Sequence, residues 1–220
     1  MKLLVIGFPK SGTTSITAAL QESGLKPLHW RDRQGRFAGK LIYENILTGR
    51  DPFDRMGDYD SITQADVCLP AQGVNYWPNL DFSVLRAVRD AHPECLFLLN
   101  TRNPKKVCAS IDKWPQLRQR IVRAAIPGLP AGMGRTDPEI VTWIENHHTA
   151  CRRYFAKDKK FVEVDIESDD APKAIGKALG VTIRGWGDVK PDRQGAGRLQ
   201  EMLASAPRRR RRMVGRGVEP

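Results

Sequence analysis

The chain has 220 residues, 40% of them hydrophobic, and a formal net charge of +11 at pH 7. These values predict one α/β domain with a sizeable core, and no apolar run approaches the roughly 18 residues of a membrane span or the apolar region of a signal peptide. Four scattered cysteines without a C-x-x-C pair argue against a zinc site and predict reduced thiols in the cytoplasm: Cys68, Cys95, Cys108 and Cys151.

The N-terminal segment predicts a strand, a glycine-rich loop and a helix in succession. Residues 3–6 form a short apolar run, rich in branched residues, that is typical of a buried strand. The loop from Gly7 to Gly12 leads into Thr13, where a helical pattern begins that ends before Gly24. Such a loop presents several backbone N–H groups to an anion, with the positive end of the helix dipole behind them. We therefore expect an anion site at this turn.

The lysine of this loop is not where a Walker A loop places it. That motif reads G-x-x-x-x-G-K-[ST], and Gly7 and Gly12 keep its glycine frame. Thr13 stands at the lysine position, however, and the loop's lysine is Lys10, three residues earlier. We expect a loop that holds a terminal phosphate group and is poorly suited to hydrolysis of magnesium-ATP.

The run P-K-S-G-T-T at residues 9–14 resembles the 5′-phosphosulfate loop of sulfotransferases that use 3′-phosphoadenosine 5′-phosphosulfate (PAPS). The family has a three-layer, P-loop-like α/β fold, in which helices flank a central and mostly parallel sheet. Its lysine contacts the phosphosulfate near the bridging oxygen, so the resemblance implies that Lys10 is both a donor ligand and the catalytic cation. It also implies that the next five residues bind phosphate: Ser11, Gly12, Thr13, Thr14 and Ser15.

Two predicted strand ends carry candidates for a general base. His29 lies at the end of the strand predicted over 25–30, where the ligand crevice of a parallel sheet opens. Bacterial sulfotransferases often carry a histidine there, although a structural role for His29, or Asp32 as the base, is an alternative. Asp66 lies near the end of the strand predicted over 61–69, and the family often has an acidic residue after this strand. The alternative for Asp66 is a helix cap or a surface position.

The segment after Asp66 contains two aromatic residues in a loop rich in proline and asparagine. Tyr76 and Trp77 are interpreted as either the wall of an acceptor pocket or part of the core. Residues 82–91 then show an apolar face with helical spacing and predict a helix.

The second anion-binding pattern lies at residues 95–110. A buried strand is predicted to end at Arg102, Asn103 is a suitable N-cap, and Pro104 suits the first helical position. Ser110 lies about two turns into that helix, so the Arg102 guanidinium and the Ser110 hydroxyl are expected to hold one phosphate together. An arginine eight residues before a serine matches the 3′-phosphate motif of the sulfotransferases.

The C-terminal half contains a segment that is hard to interpret and then a clear helix start. Residues 115–135 predict a long loop, interpreted as a lid on the acceptor side. Thr136 to Glu139 form a capping box that begins a helix reaching about Lys157. His147 and His148 on this helix are interpreted as packed or solvent-facing rather than catalytic.

The last part of the chain predicts a strand over 160–166, a short helix over 172–179 and a basic end. The late Arg-Lys-Gly loop by which many sulfotransferases close the 3′-phosphate site is missing, and the candidates to replace it are Lys190, Arg193 and Arg198. We predict a sulfotransferase-like domain over 1–200 and a disordered basic tail over 201–220. This tail is either solvated or in contact with nucleic acid, phospholipid or an acidic partner.

The resemblance implies transfer of a sulfuryl group from PAPS to a hydroxyl or amine of a small-molecule, glycan or lipid acceptor. The second product is 3′-phosphoadenosine 5′-phosphate (PAP), and no metal is required. Two alternatives stay open. One is a P-loop kinase of a small metabolite, and the other is a non-catalytic module that binds phosphonucleotides or nucleic acid through the basic tail.

Overall fold

The computed structural model describes residues 1–187. The candidates Lys190, Arg193 and Arg198 and the predicted tail 201–220 therefore lie outside the described residues. A five-stranded parallel sheet forms the centre, in the order β2-β3-β1-β6-β7. Its strands are β1 (Leu3–Val5), β2 (Pro27–His29), β3 (Ser61–Gln64), β6 (Leu96–Thr101) and β7 (Phe161–Asp165). A separate antiparallel pair comprises β4 (Val67–Leu69) and β5 (Val74–Tyr76).

Seven α-helices and one 3₁₀ turn over Pro70–Gln72 accompany the strands in the described part of the chain. The helices are α1 (Thr13–Glu22), α2 (Ala38–Leu47), α3 (Phe82–Ala91), α4 (Pro104–Lys113), α5 (Leu117–Arg123), α6 (Asp137–Tyr154) and α7 (Ala171–Leu179).

Helices cover both faces of the sheet because alternate residues of a strand point to opposite sides. Leu3 and Val5 of β1 lie in a buried cluster with residues of α1 and α7. Leu4 lies in a second cluster, on the other face, with residues of α2, α3 and α6. Continuous apolar strands such as β1 are expected where both faces of a parallel sheet are buried. The predicted three-layer α/β fold is confirmed.

The single strand predicted over 61–69 is wrong. β3 ends at Gln64, the chain turns at Ala65 and Asp66, and β4 then leaves the main sheet to pair with β5. Tyr76 consequently lies in β5 rather than in a loop. Trp77 is only 2% exposed, contacts Trp143 and lies in the same buried cluster as Phe8, so it belongs to the core and not to a pocket wall.

The loop predicted over 115–135 is also wrong in its first half, which forms α5. Leu117 and Ile121 of this helix are buried in the same core cluster as Trp143. Arg120 is buried as well, and it donates a hydrogen bond to the carbonyl of Cys68 at 3.0 Å. The segment is a packed element that connects α5 to β4.

The capping box at the start of α6 is confirmed. The backbone N–H of Thr136 donates to Glu139 Oε2 at 2.8 Å, and the Thr136 hydroxyl oxygen accepts from the N–H of Glu139. Further along α6, His147 and His148 are buried, as one of the two interpretations expected. His147 Nε2 donates to the carbonyl of Ile6 at 2.8 Å, and burial lowers the pKa of both imidazoles to about 4. Across residues 1–187, no helix has the length and apolar character needed to cross a bilayer.

Candidate active site

Two buried asparagines hold the backbone of the loop between β1 and α1. Asn100, at the end of β6, accepts from the N–H of Gly7 at 3.0 Å and donates to the carbonyl of Ser11 at 2.6 Å. Asn79 donates to the Gly7 carbonyl at 2.8 Å. A Cβ added to Gly7 would lie 2.2 Å from Asn100 Oδ1, so only glycine fits this contact. The asparagines therefore fix the backbone of this loop.

Within the described part of the chain, the loop leaves hydrogen-bond donors without partners at the start of α1. Gly12 takes the left-handed conformation at the N-cap (φ 79°), and no side chain caps the helix. The first N–H groups of a helix have no intrahelical acceptor, so those following Gly12 face outward with the positive end of the dipole. The Ser11 hydroxyl is fully buried and has no hydrogen-bond partner among the described residues. This combination fits an anion that supplies the missing acceptors.

Lys10 and Arg102 lie beside each other at this loop. The Nζ of Lys10 lies 3.9 Å from the centroid of the Trp114 ring, which follows α4. An Nη of Arg102 lies 3.5 Å from the carbonyl oxygen of Lys10. Burial, and secondarily the charge of Arg102, lowers the pKa of the Lys10 ammonium. The two predicted cations therefore lie beside each other at this loop, and the region around them is called the cleft below.

A carboxylate neutralises Arg102 in the structure. Glu167, just after β7, accepts from Arg102 Nε at 3.1 Å and from Lys106 Nζ at 2.8 Å. Lys106 lies on α4 four residues before Ser110, so the two side chains share one helix face. The half-buried Ser110 is thus on the same side of α4 as the cations that hold Glu167. A carboxylate held by two cations is a small analogue of a bound phosphate.

Asp66 connects to the anion-binding loop through one side chain. The Thr13 hydroxyl donates to Gln64 Oε1 at 3.4 Å, and Gln64 Nε2 donates to Asp66 Oδ2 at 3.1 Å. Asp66 is buried, and this burial raises the pKa of its carboxyl to about 7, although the hydrogen bond from Gln64 acts in the opposite direction. A buried carboxyl that titrates near neutrality can exchange protons in the physiological range.

His29, at the end of β2, lies beside Thr17, which is one turn of α1 further from the loop than Thr13. Its Nδ1 is 3.0 Å from the hydroxyl oxygen of Thr17 and 3.2 Å from that of Thr63. The Thr17 hydroxyl also donates to the carbonyl of Thr13 at 2.7 Å, which ties this group to the first turn of α1. Asp32, the alternative base, is buried in an ion pair with Arg36 at 2.6 Å. This pairing favours His29 and Asp66 over Asp32 as the proton acceptor.

One cluster with metal-ligand chemistry lies outside this cleft. The ligand atoms of Cys108, Asp112 and Asp137 lie within 4.8 Å of one another. One Nη of Arg118 lies within hydrogen-bond distance of all three residues, at 3.0, 2.7 and 2.8 Å respectively. The guanidinium therefore occupies the position from which a cation would bind these groups.

Several residues of the cleft were missed in the sequence. Asn100 had a visible signal, because it is a polar residue within an otherwise apolar buried strand. Lys106 had a weaker one, its spacing of four residues before Ser110. Gln64, Trp114 and Glu167 reach the cleft only through the tertiary fold and have no local signature.

The fold and the cleft together define a class of protein. A central parallel strand that leads into an anion-binding loop, with basic residues at the end of a neighbouring strand, is typical of P-loop-like α/β proteins that bind phosphorylated ligands. Within that class, a family model described as a sulfotransferase domain matches residues 2–183. The chain belongs to this sulfotransferase domain family, as the loop at residues 9–14 predicted.

A curated relative is also similar to this chain. It is described as Ava biosynthesis cluster protein M, from Aspergillus versicolor. The two are 26% identical over 196 residues, which cover 72% of this chain and 69% of the relative. Membership of the family supports a sulfotransferase-like activity.

Proposed function

We propose that the protein transfers a sulfuryl group from PAPS to a hydroxyl or amine of an acceptor and releases PAP. The observation that carries this proposal is that Lys10 and Arg102 lie beside each other, next to the first N–H groups of α1. A doubly phosphorylated adenosine has an anionic group at each end of its ribose. Two neighbouring anion sites of this kind are what such a molecule requires.

The residues of the cleft fit the donor. The orphaned Ser11 hydroxyl and the first N–H groups of α1 would hold the 5′-phosphate, together with Thr13, Thr14 and Ser15. Arg102 and Ser110 would hold the 3′-phosphate, which ATP lacks, and Lys106, which shares Glu167 with Arg102, would add a further cation. When bound, PAPS supplies a sulfuryl group on an activated phosphate.

The chain's own residues would then stabilise the transfer. Negative charge grows on the bridging oxygen as the S–O bond breaks, and the partly dehydrated Lys10 ammonium would offset it. Either Asp66 or His29 would accept the proton of the acceptor. We propose that the acceptor is a small molecule, a glycan or a lipid, and that residues 201–220 bind an anionic partner without taking part in transfer.

Ligand-dependent melting tests the donor assignment. We expect PAP and PAPS at about one hundred times Kd to add about 2.7 kcal/mol of stability, which corresponds to a rise in Tm of roughly 5 to 10 °C. ATP and GTP should give a smaller shift, with or without magnesium, because they carry no 3′-phosphate. The measurement is a thermal-shift series with these four nucleotides.

The outcomes separate the alternatives. A larger shift with magnesium-ATP than with PAP would support the kinase and contradict the proposal. Deletion of residues 207–220 should leave turnover intact in an enzyme, whereas a binding module that acts through its tail would lose its partner.

Arg102→Ala should weaken PAP binding by about 10- to 100-fold, because charged hydrogen bonds contribute roughly 1.5 to 3 kcal/mol. Titration calorimetry measures this effect directly. Adenosine 5′-phosphosulfate, which lacks the 3′-phosphate, is the matched ligand, and its affinity should change little in the variant. Arg86→Ala, on an exposed surface of α3, is the matched variant. Unchanged PAP affinity in Arg102→Ala would remove Arg102 from the 3′-phosphate site.

A further inference from the structure

A second cleft lies along β2, the edge strand of the sheet, between this strand and α1. It has a volume of about 390 Å³ and is separate from the loop that holds Lys10. Residues of α1, of β2 and of the segments that flank β2 line it, together with Tyr59: Thr17, Gln21, Leu25, Lys26, Pro27, His29, Arg31 and Arg33.

The charge of this cleft is positive. Lys26, Arg31 and Arg33 all line it, and no acidic side chain does. Lys26 and Arg33 share one nearby carboxylate, that of Asp58, at 3.1 and 3.9 Å. The side chain of Arg31 makes no ion pair with any described residue. The balance of cations therefore favours an anionic occupant.

Arg31 is held in place by aromatic rings instead of by an acid. Its guanidinium carbon lies 4.1 Å from the centroid of the Phe37 ring and 4.7 Å from that of the Trp30 ring. Its Nε is buried and has no hydrogen-bond acceptor among the described residues. A buried donor without a partner is costly, and a planar guanidinium is suited to paired hydrogen bonds with an oxyanion. An oxyanion in the cleft would satisfy it.

The position of the cleft relates it to the candidate active site. Thr17 and Gln21 lie one and two turns along α1 from Thr13, that is, about 6 and 12 Å from the anion-binding loop. His29, a candidate base, also lines the cleft and contacts Thr17 through Nδ1. A molecule anchored at Arg31 and extending past His29 would reach towards the donor site.

We propose that the cleft binds a carboxylate, sulfate ester or phosphate ester group of a small molecule, and that this molecule is the acceptor. The anion site itself stands independently of the enzymatic activity, whereas its assignment to the acceptor rests on the proposed function. The acceptor is then an acidic small molecule. Its anionic group lies at Arg31, and its hydroxyl or amine lies at the other end, towards the donor site.

Anion binding is tested without donor or turnover. The full chain, labelled with ¹⁵N, is titrated with sodium sulfate at constant ionic strength, and the Trp30 indole N–H and Arg31 Nε–H signals are followed. We expect saturable shifts of both signals, and no saturable shift of the Trp30 signal in Arg31→Gln. Arg31→Lys, which keeps the charge but not the planar guanidinium, should bind sulfate several-fold more weakly. Arg86→Gln and Lys10→Ala should bind as the native chain does, which separates this cleft from the donor loop.

Matched acceptor pairs test the assignment to the acceptor. Phenol is compared with 4-hydroxybenzoate, and p-cresol with 4-hydroxyphenylacetate, in a PAPS-dependent transfer assay. We expect kcat/KM to be at least tenfold higher for the acidic member of each pair, and Arg31→Gln to remove that preference, chiefly by lowering kcat/KM of the acidic member.

The sulfate titration and the acceptor assay can contradict different parts of the proposal. If sulfate gives no saturable shift at Trp30 and Arg31, the cleft is not an anion site and the inference is wrong. If sulfate binds but the preference for acidic phenols is missing or does not depend on Arg31, the anion is a free ligand and the acceptor assignment is overturned. A third outcome would contradict the proposed function instead: sulfate binds, none of the phenols is sulfated, and PAPS does not stabilise the chain.

Discussion

Lys10→Ala should lower kcat for sulfuryl transfer by about 10²- to 10³-fold, the range seen when one transition-state donor is removed. The ammonium lies against the Trp114 ring, and burial and the neighbouring Arg102 lower its pKa, so it acts in a partly dehydrated environment. Attraction to a developing charge is stronger there than in water. The donor's sulfuryl group is absent from PAP, so PAP affinity should change far less than kcat. Steady-state kinetics combined with PAP titration measures both.

The fold should survive this substitution. Lys10 has a positive φ of 70°, and the backbone strain of this conformation is the same for alanine as for lysine because both have a Cβ. Lys105→Ala, which removes an exposed lysine near the start of α4, is the matched loss of charge and should leave kcat unchanged. Retention of more than about a tenth of the native kcat in Lys10→Ala, with normal PAP binding, would show that Lys10 is not the catalytic cation.

The parts of the fold that were predicted correctly are encoded over a few neighbouring residues. The loop between Gly7 and Gly12, the Asn103 cap that accepts from the N–H of Lys105, and the Thr136 capping box all join residues close in sequence. Each has a local pattern of residue types that nearly suffices to identify it, although Asn79 and Asn100 also hold the loop through contacts distant in sequence.

The errors fall where distant segments determine the structure. Residues 61–69 have the composition of one strand. Their second half, β4, pairs with β5 instead of continuing in the main sheet. Glu167 was missed because it follows Arg102 by 65 residues and meets it only when β7 pairs with β6. Local sequence patterns therefore pointed to Lys10 and Arg102 but not to the carboxylate that pairs with Arg102.

Asp66 illustrates how the candidate site is expected to reduce stability. Burial raises the pKa of its carboxyl from 3.8 to about 7 in the folded chain. Between these two values the folded state holds a proton that the unfolded state has released, so stability falls as pH rises through this range. A shift of three units corresponds to on the order of 4 kcal/mol. A general base must be deprotonated, so kcat/KM should rise over the same interval.

Asp66→Asn should therefore be more stable than the native chain at pH 8.5, by up to about 4 kcal/mol, and nearly equal to it at pH 4. Asparagine keeps the shape of the side chain and accepts from Gln64 without carrying a charge. Urea denaturation of both proteins at several pH values between 4 and 8.5 measures the difference. Asp90→Asn, at an exposed position of α3, should show no such pH dependence.

The activity of Asp66→Asn decides its role in proton transfer. If Asp66 is the base, the variant should lose about 10²- to 10⁴-fold in kcat at pH 8 while gaining stability, and the rise of kcat/KM near pH 7 should disappear. If the variant gains stability but keeps its activity and its pH profile, Asp66 is not the base and His29 is the remaining candidate. A stability difference that does not change with pH would contradict the raised pKa itself, because only a carboxyl that ionises in this range makes the two proteins diverge.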